Sequence, residues 1–399
     1  MTIERIEEAA RVLEGVTVKT KLIHSPIFSA ESGCDVYLKP ENLQLTGAYK
    51  LRGAYYKISR LGEEEKKRGL IASSAGNHAQ GVALAAQLQG VPATIVMPRT
   101  TPLIKVEATR NFGARVVLHG DIYDEAYGEA KRLQEEEGLT FIHPFDDEDV
   151  IAGQGTVGLE ILAELDDVDA IVVPIGGGGL IAGILSAVKA KRPEVRVIGV
   201  EPEGACAMKK SLEAGKVVSL DKVDTIADGV AVRTPGALPF SIVRELVDEI
   251  VTVPDSLLME AFLLLLERHK LVAENSGLLP LAALKQLGLE GKKVVPVISG
   301  GNIDVVTMSS MIDNGLVRRG RICCFSVDLP DEPGQLLAIS EILARESANV
   351  IKLEHNQFKS IDRLKDVELV VTVETNGHSH VEAILGALRE KGFGITRIY

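Results

Sequence analysis

The sequence predicts an α/β protein built on parallel sheet, followed by a smaller α+β unit. Three observations carry this. Short apolar runs such as Ala93 to Met97, Ile171 to Ile175 and Val294 to Ile298 show no alternation, so they suit strands covered on both faces. Helical patterns separate those runs, which is the order of a parallel sheet with crossover helices. Beyond Asn314-Gly315, a charged and glycine-punctuated joint, Arg318-Arg319-Gly320-Arg321, precedes a strand–helix–strand–strand–helix–strand series.

In chain order, residues 4–14 read as a helix because Ile6, Ala9, Ala10 and Leu13 share one stripe. After Val16 to Leu22 come a short strand over Val36 to Lys39 and a helix from Lys50 to Arg60. Gly69 to Ala72 reads as a strand ending at Ser73-Ser74-Ala75-Gly76-Asn77-His78. The helix after it runs to Gln89, where Gly90 is a natural C-terminal stop. Ala93 to Met97 and Arg115 to Leu118 read as apolar strands without alternation, separated by helical Leu103 to Asn111. Helices are expected over 124–137 and 157–164. The strand Ile171 to Ile175 breaks into four glycines, Gly176 to Gly179, before a helix over Leu180 to Lys191 and a strand over Val195 to Val200. Val294 to Ile298 ends at Ser299-Gly300-Gly301-Asn302. In the last unit, strands are expected over 322–329, 350–358, 367–374 and 395–399, with helices over 334–345 and 381–391. The expected domains are 1–316 and 317–399.

A length of 399 residues favours two or three domains, and 46% hydrophobic with 25% charged residues is enough for a large core. The net charge of -12 argues against a nucleic-acid or membrane-surface partner, either of which wants a basic face. Without tryptophan and with few other aromatics, platforms for stacking bases are disfavoured. Cys34, Cys206, Cys323 and Cys324 form no metal-finger spacing and read as free thiols of a reducing compartment. Met1-Thr2-Ile3-Glu4-Arg5 opens directly into an acidic helical pattern, not a targeting peptide, and no run is long and apolar enough to span a bilayer. The cytoplasm is the expected compartment.

Four stretches carry chemistry. Thr46-Gly47-Ala48-Tyr49-Lys50-Leu51-Arg52-Gly53-Ala54 sets Lys50 among small and apolar neighbours, where desolvation lowers an amine's pKa and readies it for a Schiff base. The same pattern also suits a lysine snorkelling at a helix start. Gly176 to Gly179, between a buried strand and a helix, bare backbone amides for a phosphate, more glycine than a tight turn needs. No Gly-Lys-Ser/Thr follows, so it is not a P-loop. Ser299 to Asn302 offers a neutral hydroxyl and room for something flat, or a plain turn. Ser73 to His78 offers hydroxyls and helix-opening amides to a carboxylate, or a helix cap. A rival reading uses Gly177-x-Gly179-x-x-Ala182 as a relaxed dinucleotide fingerprint with Glu201 as the ribose-binding acid, which would make a nicotinamide-dependent oxidoreductase. Arg99, Lys105 and the histidines other than His78 and His143 read as solvated or capping residues.

Together these stretches, including Ser74-Ala75-Gly76-Asn77-His78-Ala79-Gln80-Gly81 and Gly176-Gly177-Gly178-Gly179-Leu180, resemble the fold-type II pyridoxal-phosphate enzymes and, within them, the threonine dehydratases. The resemblance covers essentially the whole chain. It implies two parallel-sheet subdomains, the smaller over about 48–154, with pyridoxal 5'-phosphate between them. Lys50 would carry the cofactor, Asn77 would bond its ring hydroxyl, Gly176, Gly177, Gly178, Gly179 and Leu180 would hold its phosphate, and Ser299 would face its ring nitrogen. A serine there should leave that nitrogen unprotonated, which favours loss of the substrate's β-hydroxyl over racemisation or transamination. Ser74, Ala75, Gly76, Asn77 and His78 would receive the substrate carboxylate, and Glu274 matches the family's active-site glutamate stretch, although it also suits a helix-initiating acid. Lys50 would take the α-proton, giving a 2-oxo acid and ammonia. Related serine racemases place a serine at Ala75, so racemisation is disfavoured here. Relatives with a divalent-metal site have an acid at Ala207, so no metal is expected. Ala48-Tyr49 replaces a commoner Ser-Phe.

The last unit resembles an ACT domain, an amino-acid-sensing module, with Asp331, Gly334, Gln335, Leu336 and Asn349 on its ligand loop and edge-to-edge pairing that implies a homo-oligomer, dimer or tetramer. The expected activity is L-threonine deamination to 2-oxobutanoate, for isoleucine biosynthesis or threonine catabolism, with serine as a side or main substrate. A catalytically silent amino-acid-binding regulator is the remaining alternative.

Overall fold

A computed structural model describes residues 1–356 and 366–399. The chain divides into two compact units, Met1–Asp304 and Val305–Tyr399. The strands of the first are β1 (Ile23–His24), β2 (Asp35–Pro40), β3 (Leu70–Ser73), β4 (Ala93–Met97), β5 (Arg115–Leu118), β6 (Thr140–Phe141), β7 (Ala170–Pro174), β8 (Arg196–Pro202), β9 (Glu249–Val253) and β10 (Lys293–Ile298).

They form two sheets. The larger has six strands in the order β1-β2-β10-β7-β8-β9, parallel except for the β1–β2 pair. The smaller has four parallel strands, β5-β4-β3-β6. Every residue of β7 and β4 is buried, as expected for strands covered on both faces. Arg115 to Leu118 departs from that expectation. It forms the sheet edge with Arg115 and Leu118 exposed, because only β4 pairs with it. Glu249–Val253, an edge strand at the far end of the large sheet, was not anticipated.

Helices join the sheets by close backbone contact. The Lys50–Ser59 helix packs on the Asn77–Leu88 and Glu148–Glu164 helices. A Cβ on Gly153 would lie 2.6 Å from the Arg52 carbonyl oxygen, and one on Gly183 would lie 2.4 Å from the Ile151 oxygen. A helix expected over 157–164 begins at Glu148, because Gly153 and Gly155 weaken the helical signal in its first half and close packing requires them there.

In the second unit the Val305–Arg318 helix precedes β11 (Ile322–Pro330), β12 (Asn349–Asn356), β13 (Asp366–Glu374) and β14 (Gly394–Arg397). They make an antiparallel sheet ordered β12-β13-β11-β14, with the Gln335–Arg345 and His378–Glu390 helices between strands, an ACT-like βαββαβ arrangement. Phe325, Val327, Ile339, Val371 and Leu388 centre its core. Of the strand expected over 350–358, residues 357 and 358 lie outside the described residues.

Candidate active site

Lys50 opens its helix, with no side-chain cap before it. The Nζ donates to the Pro144 carbonyl at 2.7 Å. Burial pulls its pKa down to about 8, with the Glu274 carboxylate opposing the shift. A neutral amine is therefore accessible near neutral pH. Tyr49 beside it has its phenol pushed up by burial and by Glu274, and its ring centroid lies 5.3 Å from Nζ.

The loop after β10 is stitched to the lysine stretch. Tyr49 N donates to the Ser299 oxygen at 3.2 Å, Gly301 N to the Gly47 oxygen at 2.8 Å, and Ala48 bridges Gly300. Gly47 takes a φ of 71°, which a side chain would strain, and a Cβ there would meet Asn302 Oδ1 at 2.5 Å. Asn302 Nδ2 donates to the Thr46 oxygen and to Asn77 Oδ1, both at 2.8 Å, and Asn77 Nδ2 donates to Glu274 Oε1 at 2.6 Å. A single amide relay thus joins three of the four stretches. Its end, Glu274, has its pKa raised to about 7 by burial, against the pull of Asn77, Lys105 and Lys50. Ser299 is only 4% exposed at the end of its strand.

Across the gap, Ser73 to His78 links β3 to the Asn77–Leu88 helix, so the first helix amides face the site. Gly76 N donates to Ser74 Oγ at 3.3 Å. The His78 side chain is committed elsewhere. It is buried, its Nε2 meets the Ile142 oxygen at 2.8 Å, and burial drives its pKa to about 3, so only its backbone remains for a substrate.

The four glycines sit between β7 and the Gly179–Lys191 helix, whose N-cap Gly178 has a φ of 92°. A Cβ on Gly177 would lie 2.3 Å from the Phe145 ring, one on Gly176 2.9 Å from Val230 Cα, and one on Gly178 2.6 Å from the Met208 methyl. Only bare backbone fits. Amides at a helix N-terminus and an adjacent desolvated amine are the donor set that a phosphorylated aldehyde requires, so the residues present fit pyridoxal phosphate.

The dinucleotide reading fails at Glu201. Its carboxylate is buried and accepts the Met208 and Lys209 amides at 2.9 Å each, capping the following helix, which leaves it unavailable to a ribose. In the second unit, Gly334 takes a φ of 98° before the Gln335–Arg345 helix, at the turn that holds Asp331 and Gln335, and Leu336 is 47% exposed there. Asn349 Nδ2 instead donates to Glu374 Oε2 at 3.3 Å. Sequence reasoning missed the Pro144 carbonyl and Phe145. The available signal was the His143-Pro144-Phe145-Asp146-Asp147 stretch, whose Asp147 caps a helix. Lys105 is not a bystander either, since its charge acts on Glu274.

The family model described as "Pyridoxal-phosphate dependent enzyme" matches residues 13–300. An L-threonine ammonia-lyase of Thermotoga maritima is 49% identical, over 99% of each chain. A biosynthetic L-threonine dehydratase of Halalkalibacterium halodurans is 38% identical, over 99% of this chain and 96% of its own. The processed form of threonine deaminase isoform 2 from Solanum lycopersicum superposes with a TM-score of 0.74 at 39% identity, covering 78% of this chain and 93% of that one. On these matches the chain belongs to the pyridoxal-phosphate dependent enzymes, alongside relatives named for threonine deamination.

Proposed function

We propose that the protein is a pyridoxal-phosphate-dependent L-threonine ammonia-lyase, releasing 2-oxobutanoate and ammonia, with L-serine as a side substrate. The observation that carries this reading is the Lys50 amine, desolvated to a pKa of about 8 beside the glycine cradle. Bound there, the cofactor supplies an electron sink for the substrate's α-carbon. Gly176 to Leu180 would hold its phosphate, Asn77 its ring hydroxyl and Ser299 its ring nitrogen. Lys50 would anchor it and, as a neutral amine, would take the α-proton. The amides and hydroxyl of Ser74 to Asn77 orient the substrate carboxylate. Ala75 itself carries no acid or base to return the proton to the opposite face, which favours elimination over racemisation. Threonine and serine differ by one methyl, worth about 1–3 kcal/mol, so both are accepted.

The Met1–Asp304 unit performs the chemistry and the ACT-like unit receives an amino-acid effector at Asp331, Gly334, Gln335, Leu336 and Asn349, with isoleucine as the first candidate. The edge strand β12, with Val350, Ile351 and Leu353 exposed, supports pairing between copies. No helix among the described residues is long and apolar enough to cross a membrane. The four free cysteines support work in the cytoplasm.

The test is steady-state 2-oxo acid production from threonine and serine, with and without isoleucine or valine. The protein loaded with pyridoxal phosphate should prefer threonine and lose at least about 10³-fold in rate as Lys50→Ala. Folded protein that forms no 2-oxobutanoate, or a Lys50→Ala variant of wild-type rate, overturns the reading.

A further inference from the structure

We propose that His143 is a positioning residue for the Lys50 amine: as a neutral imidazole it folds the turn that presents the Pro144 carbonyl to Nζ. The inference rests on the reading of Lys50 as the reactive amine. The Pro144 carbonyl shares one planar peptide unit with the Phe145 N–H, so a group that fixes that amide also aims the carbonyl. His143 Nδ1 accepts the Asp146 amide at 2.8 Å and the Phe145 amide at 3.3 Å. Accepting at Nδ1 places the ring proton on Nε2 and requires the uncharged form.

The rest of the turn is anchored independently. The Asp146 carboxylate accepts the Ala237 and Leu238 amides at 3.1 and 2.9 Å, and Asp147 Oδ1 accepts those of Asp149 and Val150. Between them the Phe145 ring lies on Gly177 and meets the His143 ring edge-on, centroids 4.8 Å apart. The glycine cradle and the amine's acceptor are thereby held by one five-residue segment, and His143 is its titratable hinge.

The charged and titratable groups around His143 come from four elements. Asp146 and Asp147 in its own segment favour the imidazolium. Lys50 from the Lys50–Ser59 helix and Lys131 from the Tyr123–Glu137 helix oppose it. His78, from the Asn77–Leu88 helix, interacts with His143 and is itself held neutral. Burial outweighs the rest and keeps His143 neutral below the ordinary imidazole range. With the turn intact, the carbonyl bonds the ammonium form of Lys50 and aims it. With the turn undone, the amine loses that acceptor and its proton affinity falls.

The experiment titrates Lys50 directly in the full-length, cofactor-free chain, by competitive labelling with trace acetic anhydride and peptide mapping. It needs neither cofactor nor turnover. In His143→Asn, the amide oxygen stands at the Nδ1 position, and the Lys50 midpoint should stay at the wild-type value. In His143→Gln and His143→Leu no acceptor stands there, and the midpoint should fall by about one pH unit, a tenfold change in proton affinity. Phe145→Leu, which disturbs packing but spares the acceptor, should leave it unmoved. Equal midpoints in all four folded variants, or a Phe145→Leu shift matching that of His143→Leu, overturn the proposal. Should the Gln and Leu variants not fold, imidazole nitrogen NMR of the wild-type chain decides, with an Nδ1–H tautomer or an imidazolium at neutral pH overturning it. A labelling failure in a protein that deaminates threonine sinks this inference alone, and inactivity toward threonine leaves the labelling result standing.

Discussion

Lys50 and Arg52 lie two positions apart on one helix and carry their charges into opposite environments. Arg52 is fully buried, and its guanidinium bonds Glu41 at 2.8 and 2.9 Å, Glu160 at 2.6 and 2.9 Å, and Thr156 Oγ1 at 3.1 Å. Lys39, also fully buried, shares Glu160 with it and donates to the Thr20 carbonyl. Each buried cation there has counter-charge and geometry to match. Lys50 has one carbonyl, and a single carboxylate, Glu274, that raises its pKa without an ion pair being formed. The lesson is that burial alone does not make a charge reactive. Burial that withholds partners does, and here partners are supplied at one helical position and withheld two residues earlier.

Breaking the satisfied side should have the largest effect. Arg52→Met leaves Glu41 buried without its cation and should cost about 3–5 kcal/mol in chemical denaturation. Lys50→Met should go the other way. The folded value of about 8 lies below the ordinary 10.5, so the folded chain binds that proton less tightly than the unfolded chain does. The cost is fully present below pH 8 and fades as pH rises toward 10.5. The variant, compared without cofactor, should therefore be more stable by about 3 kcal/mol at neutral pH and by progressively less above pH 8. Equal stability of the two chains at all pH values would show that Lys50 carries no burial cost. The smallest effect belongs to Glu201, whose pKa is raised to about 7 by burial. Its contribution is complete below the ordinary 4.5 and lost as pH rises through 7. Below pH 4.5 Glu201→Gln should change stability by less than about 1 kcal/mol, and it should flatten the slope between there and pH 7, as read from thermal unfolding at several pH values.

What the sequence made legible was local. Lys50, the glycine cradle and the serine at the end of β10 each announced themselves by residue types set against a strand end. The relay through Asn302, Asn77 and Glu274 was not legible as a relay, because its members stand 197 and 225 positions apart and no pattern of spacing links them. Arg52 read as a mere neighbour of the lysine, since its partners Glu41 and Glu160 lie on other elements. The first half of the Glu148–Glu164 helix was hidden because glycines that weaken a helix alone are what a crowded crossing demands. Arg115–Leu118 has the composition of an interior strand, and only its place at the rim exposes it.

That crossing has a consequence of its own. Where Gly153 meets Arg52 and Gly183 meets Ile151, main chain abuts main chain with no adjustable side chain as a spacer. The distance from the lysine's helix to the glycine loop is therefore gauged by atoms common to every amino acid. Drift among the surrounding aliphatic residues can alter stability while the tool stays set at the same reach. One methyl added at either glycine would act as a shim and displace the amine.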